Sequence, residues 1–259
     1  MEESVKEKLK NISHLYNMQA GNTNFTALVA GLPGAGKTTF IGTGRKPVLV
    51  DSFDPRGAVI LKPLVDSREV YVRTFWDEKT SSPTEYSRWE DIWEDDLRTG
   101  FLNNFGTYAI DSLTTLIQAL SNKIATEKGR EPGTLALQDY QPLYGVVRDI
   151  IKLTSTQNVD FILTAHLINV QDDLTGAISS EVDTYSKLRS QVPLLFTEKY
   201  VINVKSSPSG PKRVLLTNFS GTFRASTQIG AGKFSTEEVP DIKVLLKKAG
   251  YPTNDKELL

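Results

Sequence analysis

The sequence predicts an α/β fold: a mostly parallel sheet flanked by helices, with an antiparallel hairpin near the C-terminus. Up to residue 165, apolar segments rich in β-branched residues alternate with amphipathic ones, the pattern of a parallel sheet covered on both faces. A glycine-rich loop at 31–38 joins the first apolar segment to a helical one. Two β-branched segments then flank the run Ser-Ser-Pro-Ser-Gly-Pro at 206–211, which predicts the hairpin.

Periodicity predicts each element in turn. Val5, Leu9 and Ile12, at helical spacing, predict a helix over 2–18. The apolar run 25–30 predicts a buried strand, and Gly42 ends the short helix that begins at Lys37. The later predicted elements are strands at 47–51, 70–75, 108–111, 161–165, 200–204 and 213–217, and helices at 89–101, 113–128, 138–157 and 239–249.

Two segments carry less regular signals. The polar stretch 171–191 has no clear period, so we predict a long mobile loop there. An aromatic stripe within 89–101 is interpreted as core rather than as a platform for nucleic-acid bases. Its members are Trp89, Ile92, Trp93, Leu97 and Phe101.

Composition limits the possible functions. The chain has 259 residues, of which 39% are hydrophobic, enough for a sizeable core in one large domain or two small ones. No stretch approaches the roughly 20 apolar residues of a membrane span, and the charged start lacks an apolar signal core, so we expect a cytoplasmic protein without a membrane partner. With no cysteine and only His14 and His166, disulfides, thiol catalysis, Cys-ligated zinc and His-rich metal sites are excluded.

Residues 31–38, Gly-Leu-Pro-Gly-Ala-Gly-Lys-Thr, complete a G-x-x-x-x-G-K-[ST] phosphate-binding motif between a predicted strand and a predicted helix. The glycines allow backbone N–H groups to approach phosphate oxygens, and the helix N-terminus adds partial positive charge. Lys37 is expected to reach the β- and γ-phosphates of ATP, and the Thr38 hydroxyl to hold Mg²⁺. The predicted nucleotide-binding residues are Gly31, Leu32, Pro33, Gly34, Ala35, Gly36, Lys37, Thr38 and Thr39.

Polar residues end three further predicted strands. Asp111 is a candidate second contact to Mg²⁺, although the adjoining Ser112 also suits the N-cap of the next helix. Asp51 and Asp54 end the second strand, where a carboxylate either orients the attacking water or serves a turn. His166, with Thr164 as the alternative, is a candidate γ-phosphate sensor or else a satisfied buried histidine.

Taken together, the motifs resemble the RecA-type ATPase core, and within it the phage-encoded RecA-like ATPases of single-strand annealing and recombination, the Sak-type proteins. The likeness covers about residues 25–217, and only the phosphate loop is sharply specific. It rests on the loop, on Lys-Pro-Val-Leu-Val-Asp at 46–51, Ile-Asp-Ser-Leu-Thr at 110–114, Gln-Asp-Tyr at 138–140, Thr-Ala-His at 164–166 and the ending from Pro240 to Pro252.

The resemblance implies a Mg²⁺-dependent ATPase that acts on single-stranded DNA in phage recombination or replication, in the host cytoplasm. It marks an ATPase core at 25–217, and the sequence pattern adds a helical extension at 1–24 and a C-terminal tail with a closing helix at 218–259. The strand at 161–165 would lie between the strands ending at Ala30 and Asp111, and segment 170–190 would face DNA. Homo-oligomers would place a neighbour's basic residue at the γ-phosphate, for which the candidates are Lys205, Lys212 and Arg213.

Some residues depart from that family pattern. RecA-type enzymes usually carry a catalytic glutamate after the second strand, where this chain has Phe53, so either Asp54 substitutes or hydrolysis is slow. Segment 170–190 holds four acidic residues, which weakens a simple DNA-binding interpretation, whereas 187–259 carries 12 Lys and Arg against 6 Asp and Glu. A nucleotide-gated assembly factor or scaffold with little turnover therefore stays open, as does a small-molecule kinase, which the lack of an Arg-rich lid disfavours.

Overall fold

The computed structural model describes residues 2–20, 24–172, 176–208 and 210–257, with the side chains of the first helix described at 4–13 only. The helices are α1 (Glu2–Ala20), α2 (Lys37–Ile41), α3 (Lys62–Asp66), α4 (Glu85–Thr99), α5 (Leu113–Glu127), α6 (Tyr140–Ser155), α7 (Ser186–Gln191) and α8 (Ile242–Ala249). The strands are β1 (Thr26–Gly31), β2 (Val48–Ser52), β3 (Val70–Thr74), β4 (Thr107–Asp111), β5 (Asp160–Ala165), β6 (Leu167–Gln171), β7 (Ile178–Val182), β8 (Glu198–Lys205), β9 (Lys212–Leu216) and β10 (Glu237–Glu238).

Eight of these strands form one sheet in the order β10-β9-β8-β1-β5-β4-β2-β3. All pairings from β8 to β3 are parallel, and β9 and β10 add antiparallel pairs at the other edge. The predicted mostly parallel α/β sheet with a C-terminal antiparallel hairpin is therefore confirmed. The implied position of β5, between β1 and β4, is also confirmed.

Helices cover both faces of the sheet, which explains why its strands are so apolar. One cluster of buried side chains lies under α4, α5 and α6 and includes Trp89, Trp93 and Phe161. A second lies on the opposite face, where Phe40 of α2 and Leu245 of α8 pack. Every residue of β2, β4 and β5 is buried, so a central strand needs apolar side chains in both directions.

The predicted mobile loop at 171–191 is wrong. The segment contains the end of β6, strand β7 and helix α7, and β6 and β7 form a separate antiparallel ribbon. Both β6 side-chain faces are exposed or half-buried, so a two-stranded ribbon of this kind needs no apolar periodicity and its sequence shows none. Residues 173–175 lie outside the described residues.

Two smaller departures concern local geometry. The helix predicted over 89–101 ends at Thr99, because Gly100 adopts φ +71° as its C-cap and leaves Phe101 in a 3₁₀ turn, 41% exposed. A 3₁₀ turn over Gly57–Leu61, for which no element was predicted, packs against α2, and helix α3 follows it.

Helix α1 confirms the predicted N-terminal helix, and its apolar residues Val5, Leu9 and Ile12 are exposed. Of the helices in the described part of the chain, none combines the length and the apolar character that crossing a membrane requires.

Candidate functional site

The loop between β1 and α2 adopts a compact turn that depends on two of its glycines. Gly34 and Gly36 have φ values of +75° and +107°, which residues other than glycine rarely adopt. A Cβ at Gly36 would also lie only 2.8 Å from Cδ of Arg213. The loop therefore presents bare backbone at the N-terminus of α2, the arrangement that binds anions.

Lys37 begins α2 and is the buried cation of the site. Its side chain folds back so that Nζ donates to the carbonyl oxygens of Gly31 at 2.9 Å and Leu32 at 3.3 Å, and it is only 6% exposed. Burial lowers the pKa of Lys37, while Asp111 and Asp54 act to raise it. A bound anion would compensate this partly desolvated ammonium group.

Thr38, Asp111 and Thr164 come from three elements and meet at one carboxylate. The Thr38 hydroxyl donates to Oδ2 of Asp111 at 2.7 Å, and the Thr164 hydroxyl donates to Oδ1. Asp111 is fully buried at the end of β4, next to β5, which carries Thr164. Burial raises the pKa of Asp111, and the two hydroxyl hydrogen bonds oppose that rise.

The Thr38 hydroxyl and the Asp111 carboxylate suit a magnesium ion as ligands. A threonine hydroxyl and a carboxylate offer the hard oxygen atoms that Mg²⁺ prefers, and a cation would offset the cost of the buried charge. Within the described ranges, no group of three or more His, Cys, Asp or Glu side chains is placed to hold a metal ion.

The cap of α5 leaves Asp111 available. Ser112 is the N-cap residue, and it exchanges hydrogen bonds with Thr115 in a capping box. Capping is thus done by the neighbour, and the Asp111 side chain points instead toward Thr38.

Asp54 and His166 meet beside Lys37. Nε2 of His166 lies 3.5 Å from Oδ2 of Asp54, and Nδ1 lies 3.2 Å from Nζ of Lys37. Thr115 and Ser112 donate to the other oxygen of Asp54, at 2.7 and 3.1 Å. Burial raises the pKa of Asp54, but hydrogen bonds from His166, Thr115 and Ser112 outweigh it, so this carboxyl group titrates below its ordinary value.

Asp51, the other candidate carboxylate of the second strand, does not line this site. It is fully buried within β2 and binds Arg73 in a bidentate ion pair with distances of 2.6 and 2.8 Å. The indole of Trp89 and the hydroxyl of Tyr108 donate to the same carboxylate. Asp51 is therefore a core residue with its acceptors occupied, and of the two only Asp54 borders the phosphate loop.

One cavity of about 620 Å³ unites these groups, and it contains residues that sequence reasoning missed. Lys37, Thr38, Asp54 and His166 line it, together with Trp76 and Ile60, for which no role was predicted. Trp76 lies two residues past the end of β3, so its position beyond a parallel strand was the available signal.

Arg213 also lines this cavity, from the chain's own β9. Its Nε donates to the carbonyl of Ala35 at 3.2 Å. In this structure Arg213 thus contacts the phosphate loop of its own chain, and the role in trans that the resemblance implied for it stays a prediction. The contact within the chain follows from the strand order, since β9 lies only one strand beyond β8, the neighbour of β1. Lys205, paired with Glu237, and exposed Lys212 face each other at the turn end of the hairpin, and their role in trans stays a prediction.

Comparison with known proteins finds similarity in structure alone. No protein-family model matches the chain, and no curated protein sequence matches it. Among solved structures, a KaiC-like protein from the archaeon Pyrococcus horikoshii is 15% identical with a TM-score of 0.43, over 79% of this chain and 82% of that one. The flagellar accessory protein FlaH from Methanocaldococcus jannaschii is 9% identical with a TM-score of 0.45, over 82% and 83%. At these values neither likeness carries an argument about function.

Proposed function

We propose that this chain binds and hydrolyses ATP with Mg²⁺ in the cavity at the phosphate loop, and that it acts on single-stranded DNA in a homo-oligomer. The observation that carries the ATPase proposal is the convergence of a buried lysine, a threonine–aspartate pair and a second carboxylate on one loop with bare backbone. Positioning and charge neutralisation account for most of the catalysis of phosphoryl transfer.

Each residue has a definite task in this proposal. Lys37 neutralises the β- and γ-phosphates, and Thr38 with Asp111 would hold Mg²⁺, which offsets phosphate charge when bound. Asp54, whose lowered pKa keeps it ionised, accepts a hydrogen bond from the attacking water and orients it. His166 lies between Lys37 and Asp54, so it responds to the presence or loss of the γ-phosphate.

The proposed DNA partner rests on the resemblance and on the position of the β6–β7 ribbon. The ribbon begins one residue after His166, at the same sheet edge as the phosphate loop. Lys187 and Arg189 follow it in α7, and Arg224 lies close to Glu181 of β7. Cations beside an exposed ribbon suit the phosphate backbone of a single strand.

A second candidate is a nucleotide-gated assembly factor with little turnover. It is favoured by Phe53, which is buried in the core at the position where the resembled family carries its glutamate. Asp54 has a shorter side chain than glutamate, and both of its oxygens already have partners in this structure.

A phosphate-release assay with and without single-stranded DNA, combined with direct ATP-binding measurements, tests the proposal. Wild-type protein should release phosphate only with Mg²⁺ and faster with DNA, and Lys37→Ala should abolish turnover while its thermal unfolding stays near that of wild type. ATP binding without turnover would support the assembly factor instead. Full ATPase activity of Lys37→Ala would refute the proposed site.

A further inference from the structure

Trp76 is unlike the other two tryptophans of the chain. Trp89 and Trp93 are buried, and their indole N–H groups donate to Asp51 and Thr154. Trp76 is 41% exposed, and among the described residues its indole has neither a hydrogen bond nor a ring partner. A large aromatic side chain without partners at a cavity wall needs an explanation, because aromatic rings normally supply core or binding energy.

The wall around Trp76 differs from the rest of the cavity. Lys37, Thr38, Asp54 and His166 make the side next to the loop polar and charged. Trp76 and Ile60, which is 62% exposed, border the same cavity together with Pro33 and Pro55. Phosphate groups gain nothing from such an apolar wall, so it suits a flat, apolar part of the same ligand.

We propose that Trp76, together with Ile60 of the same cavity lining, packs against the base of the bound nucleotide. This inference rests on the proposed nucleotide binding and adds to it a residue that selects nucleotides over bare polyphosphates. Every base has a π-face, so stacking on an indole is tolerant of base identity. The wall made by Pro33, Pro55, Ile60 and Trp76 carries no side-chain acceptor that would read the edge of a base. ATP and GTP should therefore bind with similar affinity, and both far more tightly than tripolyphosphate.

Tryptophan fluorescence provides a direct test, because Trp76 is the one exposed tryptophan in the chain. ATP, GTP and tripolyphosphate are titrated into the full-length protein, and their affinities are measured independently by calorimetry. The variants are Trp76→Ala, Trp76→Phe and, as a matched control, Phe101→Ala. Phe101 is also an aromatic residue with 41% exposure, but it precedes β4, at the sheet edge opposite the cavity.

ATP and GTP should quench the fluorescence of wild-type protein, whereas tripolyphosphate should bind with little quenching. Trp76→Ala should weaken ATP binding roughly tenfold and leave tripolyphosphate binding within about twofold, whereas Trp76→Phe should keep most of the ATP affinity. Phe101→Ala should bind both ligands like wild type.

The two proposals fail in different ways. If ATP and tripolyphosphate both bind wild type and Trp76→Ala alters neither affinity, the role of Trp76 is refuted and the nucleotide site stands. Equal weakening of both ligands by Trp76→Ala also refutes it, because the residue then supports the phosphate end. If neither ligand binds wild type, the proposed function fails and this inference fails with it.

Discussion

Among single residues, Asp111 is the most informative. Burial of its carboxylate costs free energy, and the carboxylate accepts a hydrogen bond from Thr38 of the phosphate loop. A raised pKa means that the native state prefers the protonated form. As the pH rises, Asp111 therefore ionises at a lower pH in the unfolded chain than in the native protein. The contribution of Asp111 to the free energy of unfolding is therefore fully present below the ordinary pKa of aspartate. It is lost as the pH rises through the native pKa of Asp111.

We predict that Asp111→Asn stabilises the nucleotide-free protein while impairing its chemistry. The amide removes a buried charge, so its gain in melting temperature over wild type should grow as the pH rises through that window and then level off. Mg²⁺-dependent hydrolysis should fall about 10- to 100-fold, because the carboxylate that would hold the metal shell is lost. Thermal melts across the pH range and phosphate release check the two parts. A lower melting temperature at neutral pH would contradict the assignment.

The two carboxylates after the second strand should behave in opposite ways. Asp51→Asn should cost about 3 kcal/mol in the free energy of unfolding, because it leaves the Arg73 guanidinium with a weakened partner inside the protein. Asp54→Asn should change stability little and reduce turnover strongly, with ATP binding nearly kept. Urea unfolding and phosphate release on both variants check this. If Asp51→Asn loses turnover at unchanged stability, the water-orienting role moves to Asp51.

Sequence patterns could nominate Lys37, Thr38, Asp111 and His166 because parallel strands present their carboxyl ends at one edge. They could not separate Asp51 from Asp54, because that choice depends on which residue is the last inside the strand. Sequence reasoning missed the roles of Arg213 and Trp76 for another reason. Their places in the cavity follow from which strands are neighbours in space, and residue spacing along the chain does not encode that.

At the scale of elements, the β6–β7 ribbon is tied to the site by a short chain of hydrogen bonds. The backbone N–H of His166 donates to the Thr114 hydroxyl at 3.2 Å, and that hydroxyl donates to the carbonyl of Asp183 at 3.0 Å. The N–H of Asp183 donates back to the carbonyl of His166 at 2.9 Å. The start of β6 and the end of β7 are thus both joined to the proposed sensor and to the start of α5.

We predict that Thr114→Val uncouples the ribbon from the site. Valine keeps the shape of threonine but removes the hydroxyl that joins His166 to Asp183. Stimulation by single-stranded DNA should drop severalfold, while ATP affinity changes little, because Thr114 does not line the cavity. Phosphate release with and without DNA measures the effect, and Thr115→Val, which removes a bond to Asp54, is the contrasting variant. Full DNA stimulation of Thr114→Val would exclude this coupling.

Element prediction succeeded where burial imposes a period and failed where it does not. The central strands are buried on both faces and α4 to α6 each bury one face, so their sequences show the expected apolar runs and stripes. The β6–β7 ribbon is stabilised by its backbone ladder and by contacts at its base, and these leave little mark on residue types.

At the scale of the whole molecule, strand order explains why the site is built largely within one chain. The loop after β1, the C-terminal ends of β4 and β5 and the start of β9 all meet at the same edge of the sheet. The opposite edge is closed by the C-terminal segment, where the N–H of Lys46 donates to Asp255 at 2.6 Å and the N–H of Lys256 donates to the carbonyl of Lys46 at 2.7 Å. The resemblance implied the central strand order, but neither the cis position of Arg213 nor this closing contact.

The last prediction concerns assembly. If a neighbour completes the site, the ATPase rate per subunit should rise with protein concentration. A cation supplied in trans to a γ-phosphate is worth about 10³ or more in rate in related phosphoryl-transfer systems. Lys205 and Lys212 lie at the turn end of the β8–β9 hairpin, whereas Arg213 contacts its own phosphate loop, so the three residues form an internal comparison. Each is replaced singly by alanine, and each variant is assayed alone and after mixing with Lys37→Ala subunits.

A variant that lacks the trans-acting lysine should bind ATP, lose turnover and regain it on mixing, because the Lys37→Ala subunit supplies the missing cation to an intact loop. Arg213→Ala should not be rescued, because a residue that acts in cis must stand in the same subunit as Lys37. A rate independent of concentration, with Lys205→Ala and Lys212→Ala fully active, would rule out the shared site and indicate that one chain is sufficient.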